Sequence, residues 1–164
     1  MNNIMFFSEN REYIIEINKE KRFFSYSKYG QYKCNLRFAN YIGQIVLDIE
    51  CNEKQLLDLM CVLDDMNMNA GGYMLDAIAY LNDEYFMYVA FIEEPVDYPI
   101  EEDPKISIQI FQNTINGQVS RLYLEMSLYY LEEFIYNIYQ ILEDIPYLNE
   151  MQHSSLLELM GEYE

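Results

Sequence analysis

The chain has 164 residues, of which 51% are hydrophobic and 16% aromatic, and a net charge of −18 at pH 7. That apolar content disfavours intrinsic disorder, which pairs high charge with few aromatics, and the length fits one domain with room for a core. The acid excess disfavours direct binding to nucleic acid, whose phosphates need cations, and no run approaches the roughly 20 apolar residues that span a bilayer.

The charge is unevenly placed. Residues 1–37 hold seven bases and four acids, a balance of +3, while residues 38–164 hold three bases and 24 acids, or −21. No Lys or Arg lies between Lys54 and Lys105, and none follows Arg121. An excess of one sign steers oppositely charged partners, raising association rates roughly ten- to a thousandfold.

In chain order, the first third reads as short strands. Tyr13–Ile17 is β-rich, Asn18–Lys21 reads as a polar turn, and Arg22–Tyr29 continues extended. After Gly30 the alternation is clear, with Tyr32, Cys34, Leu36 and Phe38 on one face and Gln31, Lys33, Asn35 and Arg37 on the other. Period two with one wet face predicts an antiparallel strand. Another starts at Gly43, with Ile45, Leu47, Ile49 and Cys51 turned inward. The period then changes. Asn52 and Gln55 predict a capping box, and Leu56, Leu59, Met60, Leu63 and Met66 form a helical stripe ending at Gly71-Gly72.

Residues 73–81 fit a helix or a strand. A strand is expected, because Tyr85–Ile92 is a strong one and Asn82-Asp83-Glu84 makes a short turn. Lys105–Gln112 and Gln118–Met126 flank Ile115-Asn116-Gly117 as a hairpin. The register that faces Ile110, Ile108 and Ile106 with Leu122, Leu124 and Met126 buries one apolar face. It predicts a three-residue turn with Gly117 left-handed and Phe111 opposite Arg121. Ser127 caps a long helix with Leu128, Leu131, Ile135, Ile138, Leu142 and Ile145 on one stripe, stopped by Pro146. Ser155 and Glu158 form a capping box for a short last helix. No internal repeat and no low-complexity linker is visible. The expected fold is therefore α+β, one acidic domain over residues 1–164, with an antiparallel sheet of about six to eight strands packed against two or three helices.

Motifs with chemistry are scarce. Three cysteines, Cys34, Cys51 and Cys61, show no C-x-x-C spacing and read as reduced, buried thiols. The one histidine, His153, precedes a helix cap near the C-terminus, a poor place for a catalytic triad. There is no zinc-ligand cluster, no phosphate-binding glycine loop and no calcium-loop spacing, so no metal, cofactor or catalytic residue is assigned. Met1–Phe7 is too short and uncharged for a signal peptide, so a cytoplasmic location is expected.

Residues 93–103 are the most suggestive segment, with six acids in eleven residues and no base. Pro95, Pro99 and Pro104 stiffen it, which lowers the entropy lost on binding. Glu93, Glu94, Asp97, Tyr98, Glu101, Glu102 and Asp103 are the expected partner-binding residues. Charge and size together imply a small inhibitor of a basic protein, foremost an immunity protein against a nuclease-type toxin of the contact-dependent inhibition class. The alternatives are a phage or plasmid anti-defence protein, such as an anti-CRISPR or DNA mimic, and a carboxylate-dependent enzyme. Expected partners are basic proteins rather than nucleic acid or membrane; the oligomeric state is open.

Overall fold

A computed structural model describes residues 3–24, 30–68, 75–92, 104–145 and 147–148. In chain order its elements are β1 (Asn3–Phe7), β2 (Tyr13–Lys21), β3 (Tyr32–Asn40), β4 (Ile45–Cys51), α1 (Glu53–Met68), β5 (Asp76–Tyr80), β6 (Tyr85–Phe91), β7 (Lys105–Thr114), β8 (Gly117–Ser127) and α2 (Leu128–Leu142). The class is α+β, as the alternating runs imply, but the eight strands form two sheets rather than one. Each is an antiparallel meander of four, β1-β2-β3-β4 and β5-β6-β7-β8. One buried cluster draws on the inner faces of both sheets and on both helices.

Local sequence signals account for the helix starts. At α1 the Asn52 side chain accepts from Gln55 N–H at 2.8 Å, and the Gln55 side chain accepts from Asn52 N–H at 3.0 Å, a reciprocal capping box. At α2 the Ser127 hydroxyl accepts from Tyr130 N–H at 3.3 Å. Residues 76–80 form the expected strand. The Gly71-Gly72 stop and the Ser155–Glu158 helix lie outside the described residues.

Three readings are corrected. Asn18–Lys21 is no turn: β2 runs through it to Lys21, because Lys19 continues the inward alternation of Ile15 and Ile17 and finds partners inside. Ile45 does not face inward. A bulge after Phe38 leaves Val46 unpaired and turns Ile45 outward opposite Ala39. In the β7–β8 hairpin the inner pairs are as expected, Ile110 with Leu122, Ile108 with Leu124 and Ile106 with Met126. The extra residue, however, sits at Arg121 and not at the turn, so Phe111 faces Ser120 and Thr114 pairs with Gly117.

Gly117 does adopt a positive φ, 118°. A Cβ there meets no atom within 4 Å, so a side chain costs backbone strain alone. Gly117→Val is expected to destabilise by about 1–2 kcal/mol. A thermal melt checks this, and an unchanged melting temperature would show that the turn accommodates a side chain at that φ without strain.

The chain also carries an architectural repeat. Four antiparallel strands and a helix occur twice, and both last hairpins are bulged one residue before the inward-facing triplet. From that triplet into the helix the halves correspond without insertion or deletion. Leu47, Ile49 and Cys51 match Leu122, Leu124 and Met126; the caps Asn52 and Ser127 match; Leu56, Met60 and Leu63 match Leu131, Ile135 and Ile138. The junctions between the sheets are reciprocal as well. Asn82, in the β5–β6 turn, donates to the Glu50 carbonyl of β4 at 2.7 Å. Glu9, in the β1–β2 turn, accepts from Ser127 N–H of β8 at 2.6 Å. At each junction a turn side chain takes a backbone group at the end of the other sheet's last strand.

A candidate partner surface on the second sheet

The two repeats present different outer faces to solvent. On the first sheet, Arg37 lies between two carboxylates, 3.0 Å from Asp48 and 3.5 Å from Glu16. Its Nε and Nη2 both donate to one Asp48 oxygen, and Asn35 donates to the other at 3.0 Å. Lys33 and Arg22 lie 3.5 and 3.4 Å from Glu50. At the hairpin end the row Phe7, Ile14, Ala39, Ile45 crosses all four strands, and the Arg11 guanidinium stands 5.5 Å over the Phe7 ring. Arg11, Arg22, Lys33 and Arg37 are thus engaged with acids and an aromatic ring of their own sheet.

The outer face of the second sheet is aromatic. The row Tyr80, Phe86, Phe111, Ser120 corresponds strand for strand to Phe7, Ile14, Ala39, Ile45. Phe86 stacks on Phe111 with centroids 5.2 Å apart and planes 15° apart, and Tyr80 leans on Phe86 at 6.1 Å. The next row is Ile78, Tyr88, Gln109, Tyr123, and the one beyond it Asp76, Ala90, Ser107, Glu125. The two rows are tied together: Tyr88 donates to Asp76 at 2.9 Å and Tyr123 to Glu125 at 2.8 Å. Those hydrogen bonds raise both phenol pKa values, so the hydroxyls stay protonated as donors and orient the carboxylates. The aromatic row floors an open groove of about 520 Å³. Single apolar residues on a surface are ordinary, but a contiguous aromatic face rimmed by polar groups makes a candidate interaction site.

Cations are few on this face. Lys105 lies at its far end, and Arg121 is held by Gln112 at 2.7 Å, at the hairpin end. The β5–β6 turn, where the first repeat has Arg11, carries Asp83 and Glu84.

A second polar cluster is enclosed. Glu53, at the start of α1, is fully buried and accepts three backbone N–H groups, from Gly30, from Gln31 at 2.9 Å and from Tyr32 at 2.7 Å. Gly30, at φ 97°, turns the backbone so that these N–H groups converge on one carboxylate. Burial first, and then the same carboxylate, raises the Tyr147 hydroxyl well above the usual tyrosine range. Lys19, 5% exposed, donates to the Ile141 carbonyl at 2.6 Å and pairs with Asp144, so a buried ammonium caps the negative end of α2. This cluster ties the 30–32 loop and the end of α2 to the core. Burial also pushes the Cys51 thiol up to about 12 and Cys61 to about 11, and raises Cys34 further, which favours the protonated thiol over the thiolate.

The expected binding residues Glu93, Glu94, Asp97, Tyr98, Glu101, Glu102 and Asp103 lie outside the described residues, as does His153. The ends of that segment are placed: Ile92 N–H donates to the Lys105 carbonyl at 3.1 Å, at the end of the second sheet that carries Asp76 and Glu125. The aromatic face went unforeseen. Its signal was β6, Tyr85–Phe91, where no residue is charged and both faces are apolar.

The architecture defines an α+β protein built from two strand-meander-and-helix repeats. No protein-family model matches the chain, and no curated protein matches it either. Among the described residues no group of three or more His, Cys, Asp or Glu could hold a metal ion, and no helix is long and apolar enough to cross a membrane.

Proposed function

We propose that this protein is a small cytoplasmic inhibitor that binds a basic protein and neutralises it, serving as the immunity partner of a nuclease-type toxin. The observation that carries the reading is the segregation of charge. The cations Arg22, Lys33 and Arg37 are engaged on the first sheet, and Lys19 pairs with Asp144 of α2. Residues 38–164, at −21, hold only Lys54, Lys105 and Arg121 as counterions. A surface of that kind accelerates encounter with a basic partner and repels acidic ones. Nucleases that grip phosphates carry the complementary sign.

The test is capture and kinetics. Immobilised protein is expected to capture a basic nuclease from cells that carry the neighbouring genes and to block its cleavage of nucleic acid stoichiometrically. The association rate should fall steeply as salt rises from low to physiological strength, where charges are screened over about 8–10 Å. An acidic partner, or a salt-independent association rate, would overturn the reading. Capture of a nucleic-acid-binding defence protein without toxin activity would replace immunity by an anti-defence role.

A further inference from the structure

We infer that the outer face of β5–β8 is the docking surface for that basic partner, and that its aromatic row receives an arginine side chain over the exposed Tyr80 ring, as Arg11 stands over Phe7 in the first repeat. This rests on the partner being basic and adds where it binds and which side chain it presents. The first repeat places two guanidinium groups of its own on its outer face: Arg11 over Phe7 at 5.5 Å, and Arg37 in the middle row between Glu16 and Asp48. The second repeat keeps the receiving half of that arrangement and enlarges it. Phe7 becomes Tyr80, with Phe86 and Phe111 beside it in the row, while the position of Arg37 is Gln109 and the turn that holds Arg11 holds Asp83 and Glu84.

The chemistry of the face selects arginine over lysine. A guanidinium is planar, weakly hydrated and stacks on aromatic rings, whereas an ammonium is a compact, strongly hydrated point charge. Tyr80, 67% exposed, offers its ring at the open end of the row, beside the stacked pair Phe86 and Phe111. Gln109 donates its amide N–H to Ser120 at 2.8 Å, so its carbonyl oxygen remains an acceptor in the same groove. Asp76 and Glu125 place negative charge on the same face, where Tyr88 and Tyr123 orient them.

The experiment uses oligo-arginine and oligo-lysine peptides of equal length as probes on the full chain. Isotope-labelled protein titrated with oligo-arginine is expected to show amide shifts concentrated at Tyr80, Phe86, Tyr88, Gln109 and Phe111, with oligo-lysine binding more weakly and diffusely. The double variant Ile78→Ser/Tyr80→Ser changes two exposed side chains, 46% and 67% exposed, and should keep its melting temperature. It should lose about tenfold in affinity for oligo-arginine with oligo-lysine binding unchanged. Equal, diffuse binding of both peptides, or a variant that binds oligo-arginine like the wild type, would overturn the docking surface and leave the basic-partner reading standing. Binding of neither peptide would sink both. Dimerisation abolished by the double variant would assign the face to a second copy of the chain and overturn the arginine proposal.

Discussion

Glu53→Ala is expected to lower stability by about 3–5 kcal/mol, the largest effect of any single substitution proposed for this chain. Glu53 is fully buried, and its two oxygens take the N–H groups of Gly30, Gln31 and Tyr32. Alanine removes the carboxylate that all three N–H groups donate to, and an unsatisfied buried donor costs about 1–3 kcal/mol. The carboxylate is tolerated there because converging N–H dipoles and the start of α1 both favour negative charge. Glu53→Gln separates the contributions. Its carbonyl oxygen can still serve Gly30 and Gln31, but its NH₂ group then faces Tyr32 N–H, so a smaller loss of about 1–2 kcal/mol is expected. Urea unfolding of both variants measures the difference. A loss below about 1 kcal/mol for the alanine variant would show that water replaces the carboxylate at no great cost.

The triple reversal Glu101→Lys, Glu102→Lys, Asp103→Lys is expected to slow association with the basic partner by tenfold or more while leaving the melt unchanged or slightly raised. It changes the charge of the most acidic stretch by six units in a chain that already repels itself. If these acids act at the rim of the contact, the loss falls on the association rate and fades at high salt. If they form buried pairs, it falls on dissociation. Stopped-flow kinetics at two salt concentrations tell these apart. Unaltered rates at both would clear this segment and turn attention to Glu132 and Glu133, which α2 exposes.

Much of the local structure was legible because it depends on neighbours in sequence. The Asn52–Gln55 box, the Ser127 cap and the inward triplet Ile106, Ile108, Ile110 against Met126, Leu124, Leu122 each follow from side-chain chemistry and spacing within a few turns of chain. Burying an apolar face leaves one register, so the hairpin pairing was readable even though the position of its bulge was not. Lys19 was misread for the same locality. A lysine in a polar run looks like a turn until the carbonyl of Ile141 and the carboxylate of Asp144, more than a hundred residues away in sequence, are brought against it.

The repeat was illegible for a different reason. Over 45–68 and 120–143 only Leu47/Leu122, Glu50/Glu125 and Leu56/Leu131 are identical. Packing requires apolar side chains of suitable volume at given positions and tolerates many choices, so two halves can share an architecture and almost no residues. The acid excess, the strand and helix periods, the caps and the left-handed Gly117 are therefore properties of the sequence by itself. The division into two sheets, the enclosure of Glu53 and the gathering of Tyr80, Phe86, Phe111 and Tyr88 into one face were decided only in the tertiary structure. Periodicity says which side of a strand is apolar, but β6 is apolar on both sides. Which side the helices cover, and which stays open for a partner, depends on contacts between distant segments.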